Sequence, residues 1–285
     1  MKPTQRAVRR FRAMGCRSTV VVEGAGVDLE RLAEAAMLRI ARLEACWSPF
    51  LADSDLSRLN TAAGVAVAVR PAMVTLLQAM AEATIMTAGA YDPTVGSRLE
   101  GGSRWIEHVA IDPVGMVIQA EAGIRIDPAG IGKGLAADLV STATMADGAS
   151  GVAVIIGGDG RVNAVDRRTR WLIEVVEPGG ASVDRIAVSD GAIATSGFCR
   201  AHLVDPSTGA RCESADVVQV SVLAGSGSSA EVLTKAVLVG RAERGIIDEL
   251  DRQGIGVLTL HADGRLSANS TWELHRDGSR SEAAA

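Results

Sequence analysis

The feature that most constrains this chain is the stretch Asp127-Pro-Ala-Gly-Ile-Gly-Lys-Gly-Leu-Ala-Ala-Asp138. An alternating run, Gly123-Ile-Arg-Ile126, leads into it and reads as a strand. Leu135, Leu139, Ala143 and Ala146 follow on one face of a helix. Gly130, Gly132, Gly134 and Lys133 therefore sit where a strand turns into a helix. Glycine lets the backbone approach a ligand closely. The first turn of a helix leaves N–H groups unpaired, and its dipole favours an anion. Lys133 adds a full positive charge, so the fitting guest is a phosphate or pyrophosphate. The spacing is not that of a P-loop. Asp127 stands where G-x-x-x-x-G-K-[ST] needs its first glycine, and Gly134 replaces the Ser or Thr. Glycines spaced by two also fail G-x-G-x-x-G. A glycine-rich turn that packs a helix tightly on a strand accounts for the same spacing.

The 285 residues suffice for one large domain or two small ones. Hydrophobic residues make up 47% and charged residues 22%, ordinary for a globular chain. The net charge of −5, with no basic run beyond Arg167-Arg168, argues against nucleic acid as a partner. Cys16, Cys46, Cys199 and Cys212 form no CxxC pair and read as free thiols of a reducing compartment. The N-terminus is basic (Lys2, Arg6, Arg9, Arg10, Arg12), but no apolar segment follows as in a secretion signal. No apolar run approaches the roughly 18 residues of a membrane span. The expected location is cytoplasmic.

Strands are expected at Ser18–Glu23, Val65–Val69, Val109–Ile111, Val117–Gln119, Trp171–Val176, Arg185–Val188 and Val217–Leu223. The β-branched run Gly151–Ile156 suits a strand covered on both faces. It ends in a second glycine-rich turn, Gly157-Gly-Asp-Gly160. Asp28 can cap a helix with core positions Leu29, Leu32, Ala36, Ile40 and Leu43. Pro71 starts another, with Met73, Leu76, Leu77, Met80 and Thr84 inward, ending near Gly89. Asp53–Gly64 reads as a polar segment. Helices are expected at Ala230–Val239 and around Ile246–Leu250. Gly256–His261 and Leu266–Ser270 form a hairpin through Asp263-Gly264. One α+β domain over residues 1–275 with a disordered tail, 276–285, is the simplest account.

Among the histidines, His108, His261 and His275 read as structural. His202, between Ser196 and Asp205-Pro206, suits either a general base or the edge of a strand. Asp92, Asp127, Asp159 and Asp205 all lie at loops beside glycine or proline. Each alone is a turn residue; together they suit the rim of a ligand pocket. The Thr195 and Ser196 hydroxyls could serve a phosphate or cap a turn.

In order along the chain, these segments resemble the motifs of the ApbE family, the FAD:protein FMN transferases. Phe11-Arg-Ala-Met-Gly15 resembles the N-terminal Met-Gly motif, and Asp53-Ser-Asp-Leu-Ser-Arg-Leu-Asn60 the S-x-L-S-x-L-N segment. Gly89–Gly96 is close to G-x-[FY]-D-P-T-V-G. Asp127–Asp138 resembles D-x-G-G-I-A-K-G-x-A-x-D. Ile156-Gly-Gly-Asp159, Ala194-Thr-Ser-Gly197 and His202-Leu-Val-Asp-Pro-x-Thr-Gly209 match three more. The resemblance implies an α+β, T-fold-related architecture of mixed sheets with flanking helices around a flavin cleft. It also implies FAD as substrate, Mg²⁺ as cofactor, and a flavoprotein acceptor with a Thr or Ser attachment site. Met14, Ala90, Tyr91, Asp92, Asp127, Thr195 and Ser196 would line the FAD site. Lys133 and the Gly157, Gly158, Asp159 turn would lie near the phosphates. Catalysis would fall to His202 as general base, with Lys133 and Asp205.

The chain departs from the pattern where the family binds metal, through the carbonyl before the lysine (here Gly132) and a C-terminal A-D-x-L-A-T. That stretch reads Ala230-Glu-Val-Leu-Thr-Lys235. Glu231 can still bind Mg²⁺, but an ammonium at position 235 has no acceptor. Glu231 and Lys235 are also spaced for an ordinary surface pair on a helix. Either the ammonium partly replaces the metal's charge, or Mg²⁺ binds weakly with more waters. Pro128-Ala129 replaces a small-Gly pair, and the segment from Gly197 to His202 is short for the family. FAD hydrolysis to FMN and AMP, and non-catalytic FAD binding, are the competing readings.

Overall fold

Arginine-rich as it is, Gln5–Ala13 forms a strand, β1, because Ala7, Phe11 and Ala13 alternate toward the core while Arg10 and Arg12 face solvent and Arg6 lies over Trp171, paired with Glu23. The guanidinium groups disguise it in the sequence; at the outer edge of a sheet they are well tolerated. The structure, a computed structural model, describes residues 5–95, 97, 105–198 and 203–277. Met14 and Gly15 carry positive φ (50° and 71°) and turn β1 back onto β2, Cys16–Gly24, as a tight two-residue hairpin.

The elements that follow are α1 (Leu29–Trp47), α2 (Asp55–Thr61), β3 (Val67–Ala68) and α3 (Pro71–Met86). Next come β4 (Val109–Asp112), β5 (Val117–Ala120), α4 (Gly132–Ala146), β6 (Gly151–Ile156) and β7 (Asp159–Ala164). The chain continues through β8 (Trp171–Val176), β9 (Ser182–Val188), β10 (Gly191–Gly197) and β11 (Val217–Ala224). It closes with α5 (Gly227–Val239), α6 (Arg244–Arg252), β12 (Gly256–His261), β13 (Leu266–Ala268) and α7 (Ser270–His275). The main sheet has eight antiparallel strands in the order β1-β2-β6-β7-β10-β11-β12-β13. Two small sheets, β3-β5-β4 and β8-β9, flank it. This is the α+β class expected, and no helix among the described residues is long and apolar enough to cross a membrane.

The strand β6 shows why the main sheet holds together. Val152, Val154 and Ile156 point to one face, into a core shared with Leu32, Ala36 and Ile40 of α1 and with Leu135, Ala137 and Val140 of α4. Ala153 points to the other, where Val175 and Ile186 of the β8–β9 hairpin and Trp272 of α7 cover it. Each large side chain so buried contributes roughly 1.5–3 kcal/mol. The continuous apolar run is thus covered on both faces, in an antiparallel sheet.

Several expectations are met in detail. Asp28 accepts the Arg31 N–H at the start of α1, and Pro71 opens α3. Others need correction. Gly123, with φ +93°, belongs to a turn closed by the Ile124 N–H on the Glu121 carbonyl, and residues 124–126 pair with no strand among the described residues. The Asn60 side chain takes the place of a neighbouring strand, donating to the Ile126 carbonyl and accepting its N–H, both at 2.8 Å. The buried face of α4 keeps Leu135 of the expected positions but not Leu139, Ala143 or Ala146. It runs through Gly134, Ala137, Val140, Ser141 and Thr144, with Leu135 beside it, because α4 is sandwiched between α1, α5 and the sheet. The polar segment after Asp53 contains α2, capped by Ser54. Val65–Val69 shortens to the two residues of β3. The second strand of the last hairpin ends at Ala268, since Asn269 caps α7.

Candidate active site

The helix α4 begins at Gly132 with no side-chain cap of its own. Its first-turn amides need an acceptor. The sequence suggests a bound anion there, and the anion found at Gly134 belongs to the chain: Glu231 of α5 accepts its N–H on Oε2 at 2.8 Å. The arrangement is reciprocal. Asp138 of α4 accepts from Gly227 N (2.6 Å) and Ser228 N (2.9 Å) in the first turn of α5. At their closest point the two helices meet glycine to glycine, since a Cβ on Gly134 would lie 2.1 Å from the Gly227 carbonyl oxygen.

This contact brings together residues nearly a hundred positions apart. Lys133 Nζ donates to Glu231 Oε1 at 2.8 Å and to Asp159 Oδ2. Asp159 Oδ1 accepts the Thr195 N–H at 3.2 Å. Lys235, one turn along α5, places its Nζ 3.8 Å from the same Glu231 Oε1. Glu231 and Asp159 are fully buried, and only 17% of the Lys235 side chain is exposed. The pair Glu231–Lys235 is therefore a wall of the site and not the surface pair its spacing permits. Burial disfavours the Lys133 charge, but Glu231 and Asp159 outweigh it and hold the ammonium far above its ordinary range. Burial also works against Glu231, and the two lysines outweigh it, keeping the carboxylate ionised. For Lys235 burial wins over Glu231 and Asp159, and its pKa is lowered.

The cluster borders a cleft of about 640 Å³ lined by Met14, Asp127, Gly132, Lys133 and Glu231 among others. Asp127 reaches it because its N–H is held by the Pro93 carbonyl at 2.8 Å and its carboxylate accepts the Ala129 N–H. Tyr91 lies beneath the loop, fully buried, with its ring against Gly130; a Cβ there would be 3.3 Å from it. Gly130 has φ +102°, so the loop needs glycine at that point. The Tyr91 hydroxyl has no hydrogen-bond partner among the described residues, and burial, with Glu231 nearby, pushes its pKa up. The Asp92 carboxylate binds the Thr94 N–H and hydroxyl, while the Ala90 N–H goes to the Thr87 carbonyl. Gly157 and Gly158 form the tight turn between β6 and β7, beside Cys16. The hydroxyls of Thr195 and Ser196 are engaged with Ser221 and Thr234, each at 2.8 Å.

Asp205 lies on a separate loop, where its carboxylate accepts the Ser207 N–H and hydroxyl and its pKa is lowered by them. His202 lies outside the described residues. Of the other histidines, His108 bonds to Glu121, and His261 bridges Asp216 and Ser267. Sequence reasoning missed three residues that shape the cleft. Glu44 accepts the Met14 N–H at 2.7 Å and fixes the hairpin turn. Asn60 holds Ile126, and Asp138 fixes α5 on α4. Only the last two carried a signal, as the final residues of their motifs.

A sequence model of the ApbE family matches residues 14–256. A protein named FAD:protein FMN transferase from Vibrio cholerae serotype O1 is 29% identical, over 70% of each chain. One of the same name from Treponema pallidum is 23% identical, over 90% of this chain and 84% of its own. Among solved structures, an ApbE protein from Thermotoga maritima superposes with TM-score 0.83 at 24% identity, covering 96% of this chain and all of that one. The flavin transferase ApbE from Vibrio cholerae gives 0.79 at 25% identity with the same coverage. With a match over most of its length and the same fold, the chain belongs to the ApbE family.

Proposed function

We propose that the chain is an FAD:protein FMN transferase, moving FMN from FAD to a threonine or serine hydroxyl of a flavoprotein and releasing AMP. One observation carries the reading: a lysine held by two buried carboxylates faces a cleft of about 640 Å³, in a chain whose relatives bear that name. The volume suits a ligand of this size, since such pockets run from roughly 300 to 1,000 Å³. The acceptor oxygen attacks the phosphorus on the riboflavin side of the pyrophosphate. The bond from that phosphorus to the bridging oxygen breaks, and AMP leaves with the electron pair. The hydroxyl proton passes to a base, the role the family resemblance gives His202.

Phosphoryl transfer depends mainly on positioning and on charges already in place. Lys133 has three donors, of which Asp159 and Glu231 take two; the third is available to a phosphate oxygen. Met14 and Asp127 border the same cleft and would contact the flavin nucleotide. Tyr91 would act by supporting the Gly130 loop from below. The Gly157–Gly158 turn and the β10 hydroxyls would bound the site on the Asp159 side.

The test is mass spectrometry of a threonine-containing acceptor peptide incubated with the protein and FAD. A gain of one FMN with release of AMP is expected. Free FMN and AMP with unchanged peptide across a panel of acceptors would replace transfer by FAD pyrophosphatase activity. FAD retained intact would replace both by a flavin-binding role.

A further inference from the structure

Magnesium requires several oxygen ligands free to face it, and the cluster at the head of α4 does not fit such an ion. Glu231 is occupied on both oxygens, Oε1 by Lys133 (2.8 Å) with Lys235 close by, Oε2 by Gly134 N (2.8 Å). Asp159 is occupied likewise, by Lys133 and by Thr195 N. The side chain one turn beyond Glu231 is an ammonium, which donates and cannot coordinate.

The charges explain why no ion is needed. Counted in their ordinary ionised forms, two carboxylates and two ammoniums sum to zero. Without Lys235 the cluster would hold one uncompensated buried negative charge, a costly state that a cation would relieve. With Lys235 that vacancy is filled from the chain itself. The stem of Lys235 packs against the Gly130 loop, since a Cβ on Gly130 would be 3.6 Å from Lys235 Cε. Its ammonium is thereby fixed at the carboxylate and the loop that border the cleft. Both lysines share a single Glu231 oxygen, so Lys133 faces the cleft from an anchor whose charge Lys235 also balances from behind. Arg125 also borders the cleft.

We propose, on the basis of the transferase reading above, that Lys235 stands in for a divalent cation, and that this chain binds and cleaves FAD without Mg²⁺. The reaction is balanced as written above, with Lys133 and Lys235 stabilising the charge on the phosphoryl oxygens and on the departing AMP.

The experiment is calorimetric titration of the full chain with FAD, in excess EDTA and in Mg²⁺, alongside Mn²⁺ titration followed by electron paramagnetic resonance. The wild-type dissociation constant is expected to agree within about twofold between the two buffers, with Mn²⁺ remaining free. Lys235→Thr and Lys235→Met should each weaken FAD binding in EDTA by about tenfold or more, the loss of one charged contact. Lys235→Thr should recover in Mg²⁺ and acquire a bound Mn²⁺ signal. Lys235→Met, which keeps the stem against Gly130, should not recover. FAD binding by the wild type only in Mg²⁺, or stoichiometric Mn²⁺ capture by it, would overturn the inference and leave the transferase reading standing. FAD binding in neither buffer would overturn the transferase reading and the inference with it. The wild-type measurements decide the matter even if a variant fails to fold, which circular dichroism would show.

Discussion

Two of the buried carboxylate sites among the described residues differ in kind. Asp55, at the start of α2, accepts from the Arg70 backbone and side chain, from Arg58 and from the Cys46 thiol. Both arginines lie half exposed. Burial raises the Asp55 pKa, but the Arg70 and Arg58 hydrogen bonds outweigh it and hold the carboxyl far below its ordinary range. Burial and the same Asp55 push the Cys46 thiol up to about 12. The carboxylate is saturated by rigid, forked donors, and it ties α1, α2 and the head of α3 together. At the Lys133 cluster the cations are point charges on flexible stems, shared between acceptors and open to a cleft. Arginine suits a fixed joint, and lysine suits a site whose partners must be exchanged.

The largest test of that contrast is Lys133→Met. It should lower kcat/KM for FMN transfer by at least about 10²-fold, because the charge facing the pyrophosphate is lost. Steady-state kinetics with FAD measures it, and an effect under tenfold would place the working cation elsewhere. Gly134→Ala comes next. The added methyl group collides with the Gly227 carbonyl and must force α4 and α5 apart. A loss of about 1–3 kcal/mol in denaturant unfolding is expected, together with weakened FAD binding, since the helices carry Lys133 and Glu231.

Asp55→Asn should act on stability alone, by about 1–2 kcal/mol, discounted because both arginines are partly solvated. Its kcat should stay at the wild-type value. A carboxylate whose folded pKa is depressed stabilises fully above its unfolded value, near 4, and loses that contribution as pH falls toward the folded value. Melting temperatures of wild type and variant should therefore differ near pH 7 and converge below about pH 4. A constant gap would show that the arginines hold α2 by other means. Smallest is Phe50→Ala. Phe50 borders the cleft but is 93% exposed, so Tm should not move. KM should rise by only about two- to fivefold if the ring contacts a ligand, as expected for a rim residue.

The same contrast shows what the sequence could reveal. Local chemistry was legible: the Asp28 cap, the Pro71 start, the two-sided β6 and the lysine at the head of α4. Glu231 and Lys235 were visible as a helical pair, but the side of α5 they occupy is set by α4, from nearly a hundred residues away. The run Gly123–Ile126 has the pattern of a strand; its partner is one asparagine side chain, which no periodicity reports. Asp127, which borders the cleft, was legible because it sits in a motif. Glu44 lies in ordinary helix sequence and acts only through the backbone of Met14. The role carried over to His202 falls outside the described residues, and Asp205 is found capping its own turn.

The arginines of β1 have a consequence for the company this protein keeps. An eight-stranded sheet with open ends is a template on which further chains can stack. At its β1 end the outermost strand among the described residues presents Arg10 and Arg12 along one face, while Arg6 is paired with Glu23 and lies over Trp171. A second copy aligning edge to edge would bring its own row of guanidinium groups against the first. The repulsion discourages fibre growth from that margin and weakens as salt screens it. The charges that hide β1 from a reader of the sequence thus also guard it against its own kind.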